Sequence, residues 1–427
     1  MGGVWIWMLL MAMVAGNHAA VFDVKSYGAK ADGKADDSKA ILDAWKAACN
    51  AGDASTVTIP KGTYMVGSMK IEGPCKAPIT IEANKARFVA PIDPNQLRSH
   101  NGWINFIGID KFVLQGGRFD GQGELAWHQN NCAGTGKCGS MPINLSFNTV
   151  TNALIHSITS YDSKQYHMDV LGCKNVTFRS IRVSAPDQSL NTDGIHIVRS
   201  SGINVTEADI KTGDDCVSVG DGSQQVNIEK VKCGPGHGIV IGSLGKYNNE
   251  EPVVGVTVKN CTLTNTVHGV RVETWPASPS DGIARDLHFQ NIIMNNVGTP
   301  VSIDQEYCPY KCDKKLRLKI KANDLTISFS RRELGFLKRV LVFLDFDKVP
   351  SRVKISDVTF DDIRGTSASK VAVKLRCSSG SPCENVGLSN INLAYKGSDG
   401  AATSECANVK PKLTGQLVPP ACQLSSA

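Results

Sequence analysis

The chain's 427 residues could build one large domain or two ordinary ones, so length alone leaves the architecture open. Forty glycines, 6% aromatic residues and many short β-branched runs, such as Val226-Asn227-Ile228, favour short strands over long helices. The net charge of +6 does not mark a nucleic-acid binder: residues 313–350 hold ten Lys or Arg against five acidic residues, which is five of the six charges, and no nucleic-acid-binding motif accompanies them.

In chain order, residues 1–20 read as a secretory signal peptide, with an apolar run from Val4 to Val14 that ends in small residues at Ala19 and Ala20. The run is too short to cross about 30 Å of hydrocarbon, so no stable membrane association is expected. Residues 21–427 then read as a single domain. Near its start, Ser38 to Cys49 places Ile41, Ala44, Trp45 and Ala48 at helical spacing, which predicts a short capping helix over the open end of a core.

Fourteen cysteines include close pairs at Cys132/Cys138, Cys308/Cys312, Cys377/Cys383 and Cys406/Cys422. In a secreted chain these read as local disulfides. Zinc is the rival, but there is no CxxC pair and the histidines do not cluster beside the cysteines, so no metal or cofactor is expected. Sequons at Asn144, Asn175, Asn204 and Asn260 are compatible with glycosylation.

A pattern of apolar-x-apolar-x-x-apolar-x-apolar recurs at Ala153, Val176, Ile203, Val226, Val256, Leu287, Val353 and Val386. A repeat of this length with alternating strands predicts a solenoid whose coils bury their apolar faces by stacking. The leucine-rich consensus is missing, which leaves an all-β parallel β-helix. The interval from Leu287 to Val353, 66 residues, is about twice a normal coil. Its basic excess at about 313–350 reads as an insertion outside the solenoid, either a surface excursion or sequence of retained-intron type.

Aligning the coils on Ile195-x-Ile197, Val217-x-Val219 and Ile239-x-Ile241 puts Asp193, Asp215 and His237 in one column, each 22 residues from the next. Stacked strands lie about 4.8 Å apart, so two carboxylates and an imidazole would form a ladder with Asp214 beside it. Crowded carboxylates raise at least one pKa, giving a protonated acid next to an ionised base, the pair that glycoside hydrolysis needs.

Asn191-Thr192-Asp193-Gly194, Gly213-Asp214-Asp215 and Gly236-His237-Gly238 resemble, in order and spacing, the signature motifs of polygalacturonases, glycoside hydrolase family 28. Cys233-Gly234-Pro235-Gly236-His237-Gly238 and Gly242-Ser243-Leu244-Gly245 are similar to the pollen exo-acting members. The resemblance implies a right-handed β-helix, a secreted monomer and a polygalacturonan (pectin) substrate cut by inverting hydrolysis. It also implies roles: Asp214 as general acid, Asp193 and Asp215 holding and deprotonating the water, and His237 tuning the acid. Asn191, Arg271, position 273 and Tyr307 would bind the sugar. The family's Arg-x-Lys is Arg271-Val272-Glu273 here, which replaces a cation with a carboxylate facing an acidic sugar. Two other functions remain in view: a Ca²⁺-dependent lyase using the same aspartates, and an impaired homologue that only binds cell-wall polysaccharide.

Overall fold

The computed structural model describes residues 19–97, 102–130, 139–308, 349–420 and 422. Residues 1–18 of the expected signal peptide, the Cys132/Cys138 pair, Cys312 and nearly all of the basic segment lie outside them. The described chain is a right-handed parallel β-helix, and the pairings between its described strands are parallel.

One sheet holds eleven strands, numbered here along the chain: β1 Met69–Glu72, β2 Gly102–Ile107, β3 Ile143–Asn148, β4 Met168–Leu171, β5 Ile195–Val198, β6 Asp215–Val219, β7 Gly238–Leu244, β8 His268–Thr274, β9 Thr299–Asp304, β10 Val371–Arg376 and β11 Thr403–Ala407. A second, twenty-stranded sheet wraps the remaining sides. Each strand alternates inward and outward, so in β5 Ile195 and Ile197 are fully buried while His196 faces out. Inward positions stack coil on coil into one continuous apolar core. Phenylalanines on adjacent coils lie nearly parallel, as in Phe106–Phe147 at 5.0 Å and Phe289–Phe360 at 4.9 Å.

The N-terminal helix α1 spans Ser38–Cys49, the predicted range, and buries Ile41, Ala44, Trp45 and Ala48 against the first coil. The Trp45 indole N–H donates to the Glu72 carbonyl at 3.0 Å, and the Cys49–Cys75 disulfide ties the helix end to the coil it covers. The predicted pairs Cys377–Cys383 and Cys406–Cys422 are formed. Cys216–Cys233 was not foreseen, and Cys173 and Cys261 are buried free thiols.

Two expectations need correction. Leu287 pairs with Val358, not Val353, and Val358 pairs with Val386, so the repeat resumes five residues later than the apolar pattern implied. Val353 sits opposite Gly282, in an upstream extension of the same long strand. Asn144 cannot carry a glycan in the folded protein: it is 2% exposed, and its amide donates to Ser160 Oγ and the Tyr161 carbonyl. Asn175 and Asn260 stand exposed at coil turns.

Candidate active site

Asp193 and Asp215 stand in register one coil apart, because Ile195 pairs with Val217. His237 does not extend that column as expected. Asp215 pairs with Gly238 while Val217 pairs with Ile239, so β6 carries one extra residue, Cys216, as a bulge. The shift presents the imidazole to Asp214 instead. His237 Nδ1 lies 3.1 Å from Asp214 Oδ1, and the His237 amide donates to the Asp214 carbonyl at 2.7 Å. The disulfide from Cys216 to Cys233 anchors the bulge to the segment that leads into His237.

The motif glycines allow this crowding. A Cβ on Gly213 would come within 2.0 Å of the Ser189 carbonyl, and one on Gly238, at φ +107°, within 2.4 Å of the Gly269 carbonyl. Neighbouring backbone, rather than open groove, forbids a side chain at these two positions.

The carboxylates differ in setting. Asp193 is 6% exposed, and its Oδ2 accepts from the Ser218 hydroxyl at 2.9 Å. Having spent its proton there, Ser218 accepts from His196 Nδ1, 2.8 Å away, which fixes the His196 tautomer. Burial holds His196 uncharged, down at about 4, and its ring tilts against Tyr166 at 4.6 Å. Asp214 keeps about a quarter of its side chain open to the groove, and its Oδ1 accepts from the Asp215 amide at 2.9 Å. Burial first, and then the charge of Asp214, pushes both Asp193 and Asp215 well above the usual carboxylate range. Burial lowers His237, but its bond to Asp214 outweighs that and raises it. The cluster therefore retains protons at a pH where separate carboxylates would have lost them.

The raised shifts of Asp193, Asp215 and His237 share one sign in stability, opposite to that of His196, whose pKa is lowered. Groups whose folded pKa is raised bind more protons in the folded state, so stability falls as pH rises. For Asp193 and Asp215 the loss begins above about pH 4, and for His237 above about pH 6.5. Thermal denaturation followed from pH 4 to 8 is expected to show this decline. Asp193→Asn should flatten it and raise the melting temperature at neutral pH, although the residue lies at the site.

One coil beyond His237, β8 carries Arg271 and Glu273 on the same face. They pair with each other, Arg271 Nε to Glu273 Oε2 at 2.8 Å, and both are nearly buried. The Arg271 guanidinium also lies 3.7 Å from Asp304 Oδ2 and over the Tyr307 ring at 4.8 Å. Trp275 meets Tyr307 edge-on, with its indole bonded to Ser243. Asn191 sits two residues before Asp193 in a left-handed turn.

A family model described as glycosyl hydrolases family 28 matches residues 49–333 and 345–418. The chain belongs to that family. The break in the match falls inside the basic segment. An exopolygalacturonase of Arabidopsis thaliana is 53% identical over 94% of this chain and 83% of its own length. An exopolygalacturonase of Platanus acerifolia is 46% identical over 94% and 97%. Among solved structures, the endo-xylogalacturonan hydrolase of Aspergillus tubingensis superposes with a TM-score of 0.73 at 22% identity, covering 92% of this chain and 96% of that one. At that identity the likeness speaks to the fold, a family 28 β-helix.

The sequence alignment passed over part of this family 28 site. His196 and Ser218 are the unnamed middle residues of Ile195-x-Ile197 and Val217-x-Val219, in register with Arg271. Register puts them in one outward column that runs on to Ser302 and Lys374. The alternation that marked the inward residues thus also marked these. Lys374 lay beyond such reasoning, because the long segment between β9 and β10 breaks the spacing.

Proposed function

We propose that this family 28 hydrolase cleaves the α-1,4-galacturonosidic bonds of polygalacturonan by inversion, working from a chain end. The observation that carries the reading is the asymmetry of the three aspartates: Asp214 faces the groove and is held by His237, while Asp193 and Asp215 are crowded behind it. Asp214 protonates the leaving glycosidic oxygen with a proton that the crowded cluster retains, since the titrations of Asp193 and Asp215 are tied to the charge of Asp214. Asp193 and Asp215 position a water and take its proton as it attacks the anomeric carbon from the opposite face. His237 orients Asp214 and supplies positive character beside it. Tyr307 and Asn191 bound the sugar. The relatives named exopolygalacturonase support the exo mode.

The test is reducing-end release from demethylated and partly methyl-esterified galacturonan, with product analysis. Monomer of β configuration is the expected first product; α product or a ladder of oligomers would refute inversion or exo action respectively. Binding without any release would point to the polysaccharide-binding reading, which the retained aspartates do not favour.

Asp214, Asp215 and His237 each offer one ligand atom within 4.8 Å of the others. Ca²⁺ takes six to eight oxygens, and one of these three donors is a nitrogen already bonded to Asp214. Chelator treatment is accordingly expected to leave activity unchanged, and its loss would revive the lyase.

The enzyme is proposed to be one domain over residues 21–427, secreted to the cell wall as a monomer after removal of residues 1–20. The apolar run of that leader and the disulfides among the described residues support this. No helix among the described residues is long and apolar enough to cross a membrane.

A further inference from the structure

The charges around Arg271 do not suit an acidic sugar. Arg271 is spent on Glu273 at 2.8 Å and on Asp304 at 3.7 Å, and Lys374, two coils along the same column, also reaches Asp304, at 3.3 Å. Two cations thus meet two carboxylates before any ligand arrives. Asp193, Asp214 and Asp215 lie next to this group, and the charge of Glu273 acts on Asp193 and Asp215. His268, packed nearby, adds no positive charge, because burial and Arg271 hold it neutral, down at about 3. Arg376, in register with Asp304, is shared by Glu306 and Glu405 at 3.5 and 3.6 Å. Lys246 stands over the Trp275 ring, 5.1 Å from its centroid. An incoming carboxylate would meet Glu273 as a like charge across a guanidinium whose charge the buried Arg271–Glu273 pair already offsets.

Resting on the galacturonan-hydrolase reading, we propose that Glu273 sets substrate choice: the sugar seated against Arg271 is an uncharged galacturonosyl unit, its carboxyl carried as a methyl ester. An ester carbonyl can accept a hydrogen bond from an outer N–H of Arg271 without displacing Glu273, and its methyl group can rest on the Tyr307 ring. The choice is pH-dependent. Burial raises Glu273 to about 7, against the opposing pull of Arg271. Below that pH it takes up a proton, and Arg271 becomes available to a free carboxylate. The groups facing Glu273 are Arg271, Asp304, Asp214, His237, Asp193, Asp215 and Tyr307.

The experiment compares demethylated with highly methyl-esterified oligogalacturonides on the full chain, Glu273→Gln and Glu273→Lys. Affinity is read by calorimetry at pH 8 and kcat/KM at pH 6. The original chain is expected to bind the ester more tightly by roughly tenfold or more, the scale of one charge-assisted contact. Glu273→Gln should shrink that preference, and Glu273→Lys should reverse it in favour of the free acid. Preference for the free acid in the original chain at pH 8, or an ester-to-acid ratio there unmoved by both substitutions, would overturn the proposal. Ester-selective binding that shifts with Glu273, without hydrolysis of either ligand, would sustain the assignment of Glu273 and sink the hydrolase reading instead.

Discussion

Asp214→Asn is expected to lower reducing-end release by about 10²–10⁴-fold, the usual contribution of a positioned general acid. Its geometry makes the residue hard to replace. Asp193 is almost closed off and donates nothing to the groove, since its Oδ2 is taken by Ser218. Asp214 keeps an open carboxyl edge while its other features are fixed by His237 and by the Asp215 amide. An asparagine retains an acceptor for that amide and changes little in volume, so the coil stack should survive. Affinity for oligogalacturonides measured by calorimetry is expected to stay within a few-fold of the original. Activity kept at more than a tenth would reassign the acid, with Asp215 as the first replacement.

Removing the Cys216–Cys233 bridge by paired alanines is expected to cost about 3 kcal/mol of stability, the loop-closure scale for a cross-link of this span. Denaturant midpoints at an unchanged slope would measure it. The second consequence is catalytic. Cys216 is the bulged residue that shifts His237 from Asp215 to Asp214, and Cys233 lies four residues before His237. Without the bridge that register is held by backbone bonds alone, and a displacement of about 1 Å can cost around 10²-fold in rate. A fall in kcat with little change in KM is expected. Loss of stability with full kcat would show that the bulge holds itself.

The same bulge marks where sequence reasoning stopped. Counting 22 residues from Asp193 to Asp215 and 22 more to His237 placed these residues on adjacent coils, because a solenoid converts regular spacing into neighbourhood. It gave the wrong partner for His237, since one inserted backbone residue leaves the count unchanged while moving the contact by a place. The capping helix was legible to its ends because amphipathic spacing and burial are both local properties of Ser38–Cys49. The coil after the long basic segment was misplaced by five residues, because Val353 and Val358 both begin apolar alternations and only pairing with Leu287 chooses between them.

By itself, then, the sequence determined the solenoid, its apolar interior and the stacking of Asp193 and Asp215 on adjacent coils, all of which follow from periodicity and residue chemistry. Tertiary structure decided the ion pairs: Glu273 with Arg271, and Lys374 reaching Asp304 across the coil that follows Arg271. Side chains brought together by stacking choose partners by distance and burial, and neither quantity is written in the order of residues along the chain.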